Sequence, residues 1–88
     1  MMREDYKQGQ IRPYRMSTLR SVDNLEGADR AVRIVYDCFV NHDGERIYPT
    51  IEDVEKAFDD EALSLEDLRH IATRATDMTT TEGEGKKD

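Results

Sequence analysis

Much is scarce in this chain of 88 residues, and each scarcity excludes something. A single cysteine, Cys38, rules out an internal disulfide. Apolar runs never exceed a few residues, which rules out a membrane-spanning helix, and no signal-peptide pattern opens the chain, so a cytosolic product is expected. Bases are outnumbered, 13 against 20 acids, and the net charge of −7 speaks against nonspecific binding to nucleic acid or anionic membrane. The partners expected are proteins. Large apolar residues are scarce too: the apolar share is 36%, much of it alanine, methionine or tyrosine, so one small domain with a marginal core is the most the chain can build.

What is present is unevenly spread. Residues 1–35 carry seven bases and five acids, whereas residues 36–67 carry two bases and eleven acids. A mildly basic first part and a strongly acidic middle can pair with copies of the same chain or present an acidic face to a basic partner. Single acids in such a stretch also serve simply to solvate helix faces.

The pattern along the chain is mainly helical. Residues 1–16 show no helical period, and Pro13 removes a ladder donor, so an extended or flexible arm is expected there. Ser17 can cap a short helix from Thr18 to Glu26 that Gly27 ends. From Ala28 to Asn41 the spacing of Ala28, Ala31, Val32, Val35, Tyr36 and Phe39 predicts a helix, with Ile34, Cys38 and Val40 widening its apolar stripe. The β-branched residues Val32, Ile34, Val35 and Val40 would also suit a buried strand, but the length favours a helix. Asn41-His42-Asp43-Gly44 reads as a turn, Ile47-Tyr48 as a short extended step, and Thr50 as the N-cap of a second helix carrying Ile51, Val54, Ala57 and Phe58. Ser64, followed by Leu65-Glu66-Asp67, opens the last helix, whose apolar stripe runs through Leu65, Leu68, Ile71, Ala72 and Ala75 to Met78. The polar run from 79 to 88 is expected to be disordered. The fold expected is therefore all-α: three to four short helices over residues 17–78, an extended arm at 1–16 and a disordered tail at 79–88. Burial is expected to be strongest at Val32, Val35, Phe39, Val54, Phe58, Leu68 and Ile71.

Catalytic and metal chemistry find little to work with. If Gly44 is set at the invariant sixth position of a calcium-binding loop, Phe39 falls at the first and Thr50 at the twelfth, where an aspartate and a glutamate are needed. Cys38, His42 and the remote His70 offer three zinc ligands at most, and Cys38 sits inside the apolar arc. Asp59 and Asp60 are consecutive, with no sign of the shielded pocket that would raise one carboxyl pKa. No catalytic, metal or cofactor residue is assigned, and no enzyme is expected. The residues assigned to partner binding are Glu52, Glu55 and Asp59, aligned on one helix face, and Arg30 and Arg33 on the polar edge of the helix before it.

Arg15-Met16-Ser17, the segment AVRIVYDCFVNHDGERIYPTIEDVEKAF at 31–58 and the segment LEDLRHIATRATDM at 65–78 together resemble the tail assembly chaperones of long-tailed bacteriophages of the siphophage type. That family's pattern is an extended start with a Met-Ser or Met-Thr step, an apolar helix, an Asp-Gly turn, a short aromatic step, an acidic helix and a final amphipathic helix. Here Asp43-Gly44, Ile47-Tyr48 and Glu52-Asp53-Val54 fill the middle of it. The resemblance implies a non-enzymatic protein that coats the tape measure protein and keeps it soluble until tail tube subunits polymerise. It also implies action in the cytoplasm of the infected host and absence from the mature virion. Self-association is expected from the broad stripe of the Ala28–Asn41 helix. The family often makes a longer form by a −1 ribosomal frameshift, which would bring contact with the tail tube protein; Glu84-Gly85-Lys86-Lys87 permits a slippery codon run. The alternative reading is a small structural or adaptor subunit of a phage particle, or an acidic protein-binding regulator.

Overall fold

The structure is a computed structural model describing residues 3–87, with side chains through residue 80. Its elements run β1 (Glu4–Tyr6), β2 (Gly9–Ile11), α1 (Met16–Val22), α2 (Gly27–Cys38), β3 (Phe39–Val40), α3 (Ile51–Asp59) and α4 (Leu65–Lys87). A three-stranded antiparallel sheet in the order β1-β2-β3 therefore accompanies the helices, and the all-α expectation is corrected to α+β.

The expected arm is a hairpin. Glu4 faces Ile11 and Tyr6 faces Gly9 across a turn at Lys7 and Gln8, and β2 then pairs through Gln10 with Val40 and through Ile11 with Phe39. Ile11 is fully buried, so these residues belong to the core. Gly9 permits the close approach: a Cβ there would collide with the Ile47 side chain and the Val40 carbonyl oxygen. The Arg12 N–H still reaches the Cys38 carbonyl at 2.9 Å, and Pro13, without a donor, ends the ladder one residue later.

Helix α1 starts two residues before the expected position, with the Arg15 N–H donating to Thr18 Oγ1. Gly27 opens α2 instead of ending α1; its φ of +59° is a conformation that side-chain-bearing residues resist. The expected Ala28–Asn41 helix stops at Cys38, because Phe39 and Val40 find a strand partner in β2 and take extended backbone there. Aromatic and β-branched residues suit that pleated, buried position. In the following turn, Asn41 Oδ1 accepts from the Asp43 and Glu45 N–H groups at 2.9 and 3.0 Å, and Gly44 takes φ +86°.

The starts of α3 and α4 lie where their caps predict. Thr50 Oγ1 accepts from the Asp53 N–H at 3.1 Å. Ser64 and Asp67 satisfy each other's N–H groups through their side chains, both at 3.0 Å. Between the two helices, Glu61 sits at φ +64°, and the Ala62 and Leu63 N–H groups both turn back onto the Ala57 carbonyl. The backbone of α4 continues as helix to Lys87 where a disordered tail was expected from 79. Thr79 is already engaged, its Oγ1 accepting from the Tyr14 N–H at 2.8 Å.

The core gathers Ile11, Val22, Ile34, Val35, Cys38, Phe39, Val54, Leu63, Leu68, Ile71, Ala75 and Met78 around α2. Of the expected burial positions, Val35, Phe39, Val54, Leu68 and Ile71 are buried, Val32 is half-buried, and Phe58 is 40% exposed. Most of the broad stripe of α2 is covered within the chain, by α1, α3, α4 and β3, while Ala28 stays exposed and Val32 half-buried. No helix among the described residues is long and apolar enough to cross a membrane.

Candidate interaction surface

The five residues assigned to partner binding separate into two kinds. Glu52, Glu55 and Asp59 are exposed on α3, and Arg30 and Arg33 are half-buried on α2. Arg30 is committed to the fold: its Nη1 donates to the Val22 carbonyl at 3.0 Å and so satisfies the C-terminal end of α1. The Arg33 guanidinium lies 5.7 Å from the Tyr36 ring centroid, and its buried Nε has no hydrogen-bond partner among the described residues. Arg33 and Glu55 line one small hollow with Leu25, Asp29, Val32 and Ile51.

Glu55 and Asp59 belong as well to a larger groove between α2, α3 and α4, a hollow of about 420 Å³. Val32 and Leu68 form its floor, and Phe58 and Leu65 flank it at 40% and 51% exposure. A second hollow of about 520 Å³ continues past Phe58 and Leu65 to Glu61 and Leu63. The sequence counted Phe58 among the buried positions and Leu65 in the apolar stripe of α4 because a helical wheel shows which residues share a face, not whether another element covers it. Two more large apolar side chains stand in water on α1, Met16 at 62% and Leu19 at 46% exposure.

Two polar clusters escaped the sequence, and both fasten the fold. Asp67 is buried, and Tyr6 Oη donates to its Oδ1 at 2.6 Å while Lys7 Nζ approaches the same oxygen at 2.6 Å. Burial alone would raise this carboxyl pKa, but the bonds from Lys7, the Ser64 N–H and Tyr6 together hold it well below the usual carboxylate range. The Lys7 contact also holds a residue whose φ of +50° is unfavourable for a side chain of its kind. In the second cluster, the buried Arg12 donates twice to the Asp37 carbonyl, at 2.9 and 2.7 Å. Asp37 Oδ1 accepts from Arg46 at 2.8 Å, and Arg46 lies 4.2 Å from the Tyr36 centroid.

The groups considered for chemistry are dispersed or quenched. Burial, with Asp37 beside it, pushes the Cys38 thiol up to about 12, so it remains protonated at neutral pH. His70 stacks on Tyr6 with centroids 4.3 Å apart, and His42 lies exposed in the turn after β3. Among the described residues no three His, Cys, Asp or Glu side chains stand close enough to hold a metal ion.

No family model, curated protein or solved structure matches the chain.

Proposed function

We propose that the protein is a non-enzymatic tail assembly chaperone that covers apolar stretches of a tape measure protein until tail tube subunits replace it. The observation that carries this reading is the groove between α2, α3 and α4, in which Phe58 and Leu65 stay exposed beside Glu55 and Asp59. A small acidic protein that leaves large apolar side chains in water has a use for them. The motif resemblance supplies the client. Apolar segments of the client bury against Phe58 and Leu65, while the exposed acids Glu52, Glu55 and Asp59 keep the coated assembly in solution by mutual repulsion.

The test is co-expression with tape measure segments. The wild-type protein should hold them in the supernatant, and the double variant Phe58→Asp/Leu65→Asp, altered only at exposed positions, should release them to the pellet. Reversing the charges of Glu52, Glu55 and Asp59 should lower the solubility of the coated client more than it disturbs the fold. Recovery of no tape measure segment by a demonstrably folded protein would refute the proposal.

A further inference from the structure

We infer that the groove between α2, α3 and α4 receives helix α1 of a second copy of this chain when no client fills it. The inference rests on the groove being a docking surface, the reading given above, but needs no phage partner. Its donor is specific. Met16 and Leu19 lie three residues apart on α1, hence on one face, and stand 62% and 46% exposed. Arg15 and Arg20 are exposed at either side of them, and Asp23, the exposed C-cap, is the acid next along the chain. The acceptor has the opposite character: an apolar floor and flank of Val32, Phe58, Leu65 and Leu68, with Glu55 and Asp59 on the rim. Glu61 lines the continuing hollow and Asp60 is exposed beside it.

A helix of seven residues, about 10 Å long, presents two apolar side chains flanked along the chain by Arg15 at the N-cap and Arg20 in the last turn. That spacing suits an apolar hollow with acids along its edge, and charge complementarity would fix which way α1 lies in it. The protomer's own α1 does not fill this role. It packs on α2 with Thr18 and Val22 turned inward and fully buried, which leaves Met16 and Leu19 facing away. Donor and acceptor are thus different surfaces of one molecule, so two copies can exchange α1 reciprocally in a two-fold dimer, or a one-way contact can grow into chains or rings.

The experiment uses two single variants of the full chain, Leu19→Asp, which spoils only the donor, and Phe58→Asp, which spoils only the acceptor. In sedimentation from micromolar to millimolar concentration the wild type should form dimers or larger species. Each variant alone should weaken association on the order of tenfold or more. An equimolar mixture of the two should recover one intact contact and stop at a one-to-one pair, and added salt should weaken it. A wild type that stays monomeric throughout, variants that associate as the wild type does, or a mixture that fails to pair would overturn the inference. Both positions are exposed, so circular dichroism should stay native. If either variant unfolds, the charge exchange Arg20→Glu with Asp59→Arg decides instead: each alone must weaken association and the mixture must restore it, and no restoration refutes the inference. No client is present in any arm, so failed self-association and failed client binding are separate results.

Discussion

Asparagine at position 67 should destabilise the protein far more than a one-atom change at a surface acid, and the loss should fade in acid. The Asp67 carboxylate accepts from Tyr6 Oη at 2.6 Å and from the Ser64 N–H at 3.0 Å, and it is buried. Hydrogen bonds to a charged group contribute about 1.5–3 kcal/mol each. Asparagine keeps one acceptor oxygen and turns an amide donor toward the other contact, so about 2–3 kcal/mol should be lost; the Lys7 contact, whose ammonium stands in water, is left out of that figure. A chain of this size has roughly 4–13 kcal/mol in total, so the loss is a large share. The melting temperature should fall by about 10 °C or more. The sign with pH follows from the depressed pKa. Stability from Asp67 is complete above the unfolded carboxyl value of about 3.9 and is lost as pH falls from there toward the lower folded value. Urea melts at neutral pH and at several points below pH 5 should therefore show wild type and Asp67→Asn converging in acid. Asp77→Asn, removing an exposed carboxylate that stands 3.5 Å from Arg74, is the control and should leave the midpoint unchanged. Equal midpoints for wild type and Asp67→Asn at neutral pH, or a constant gap down through the acid range, would refute the reasoning.

Gly9→Ala should cost about 1–3 kcal/mol, because the new methyl meets Ile47 and the Val40 carbonyl oxygen, and the hairpin must shift to admit it; an unchanged urea midpoint would contradict the close packing described. Glu61→Gly should stabilise by about 0.5–1 kcal/mol in the same assay, since glycine adopts the φ of +64° without the side-chain penalty and an acid leaves the C-terminal end of α3.

The helix-forming half of the fold was legible because its signals are local. The Thr50 and Ser64 caps and the stripes of α3 and α4 use neighbours three and four residues away, and those rules hold wherever the chain is placed. The sheet was not legible. Glu4, Asp5 and Tyr6 carry no apolar alternation, and Lys7-Gln8 is no recognisable hairpin turn. Both strands are held by partners distant in the chain, such as Arg74, whose Nε and Nη2 meet the Glu4 carboxylate at 2.9 and 3.1 Å. The same rule explains Phe39 and Val40, which fit a helical stripe and a strand equally well until β2 is known to lie beside them. At the surface, the exposure of Glu52, Glu55 and Asp59 followed from their shared face. The grooves that Glu55 and Asp59 border arise where α2, α3 and α4 meet, and no single helix encodes them.

Helix α4 grips the beginning of the chain along its length: Asp67 and His70 hold Tyr6, Arg74 holds Glu4, and Thr76 and Thr79 hold Tyr14. The grip bears on the order of events during synthesis. The strands can pair with one another and with β3 early, but the contacts that fasten them to α4 lie 61 to 70 residues later. A nascent chain halted before Arg74 would lack the clamps on Glu4 and Tyr14, so final docking should come after almost the whole domain has been made. Any extension encoded beyond residue 88 would then be translated while the domain behind it is closing.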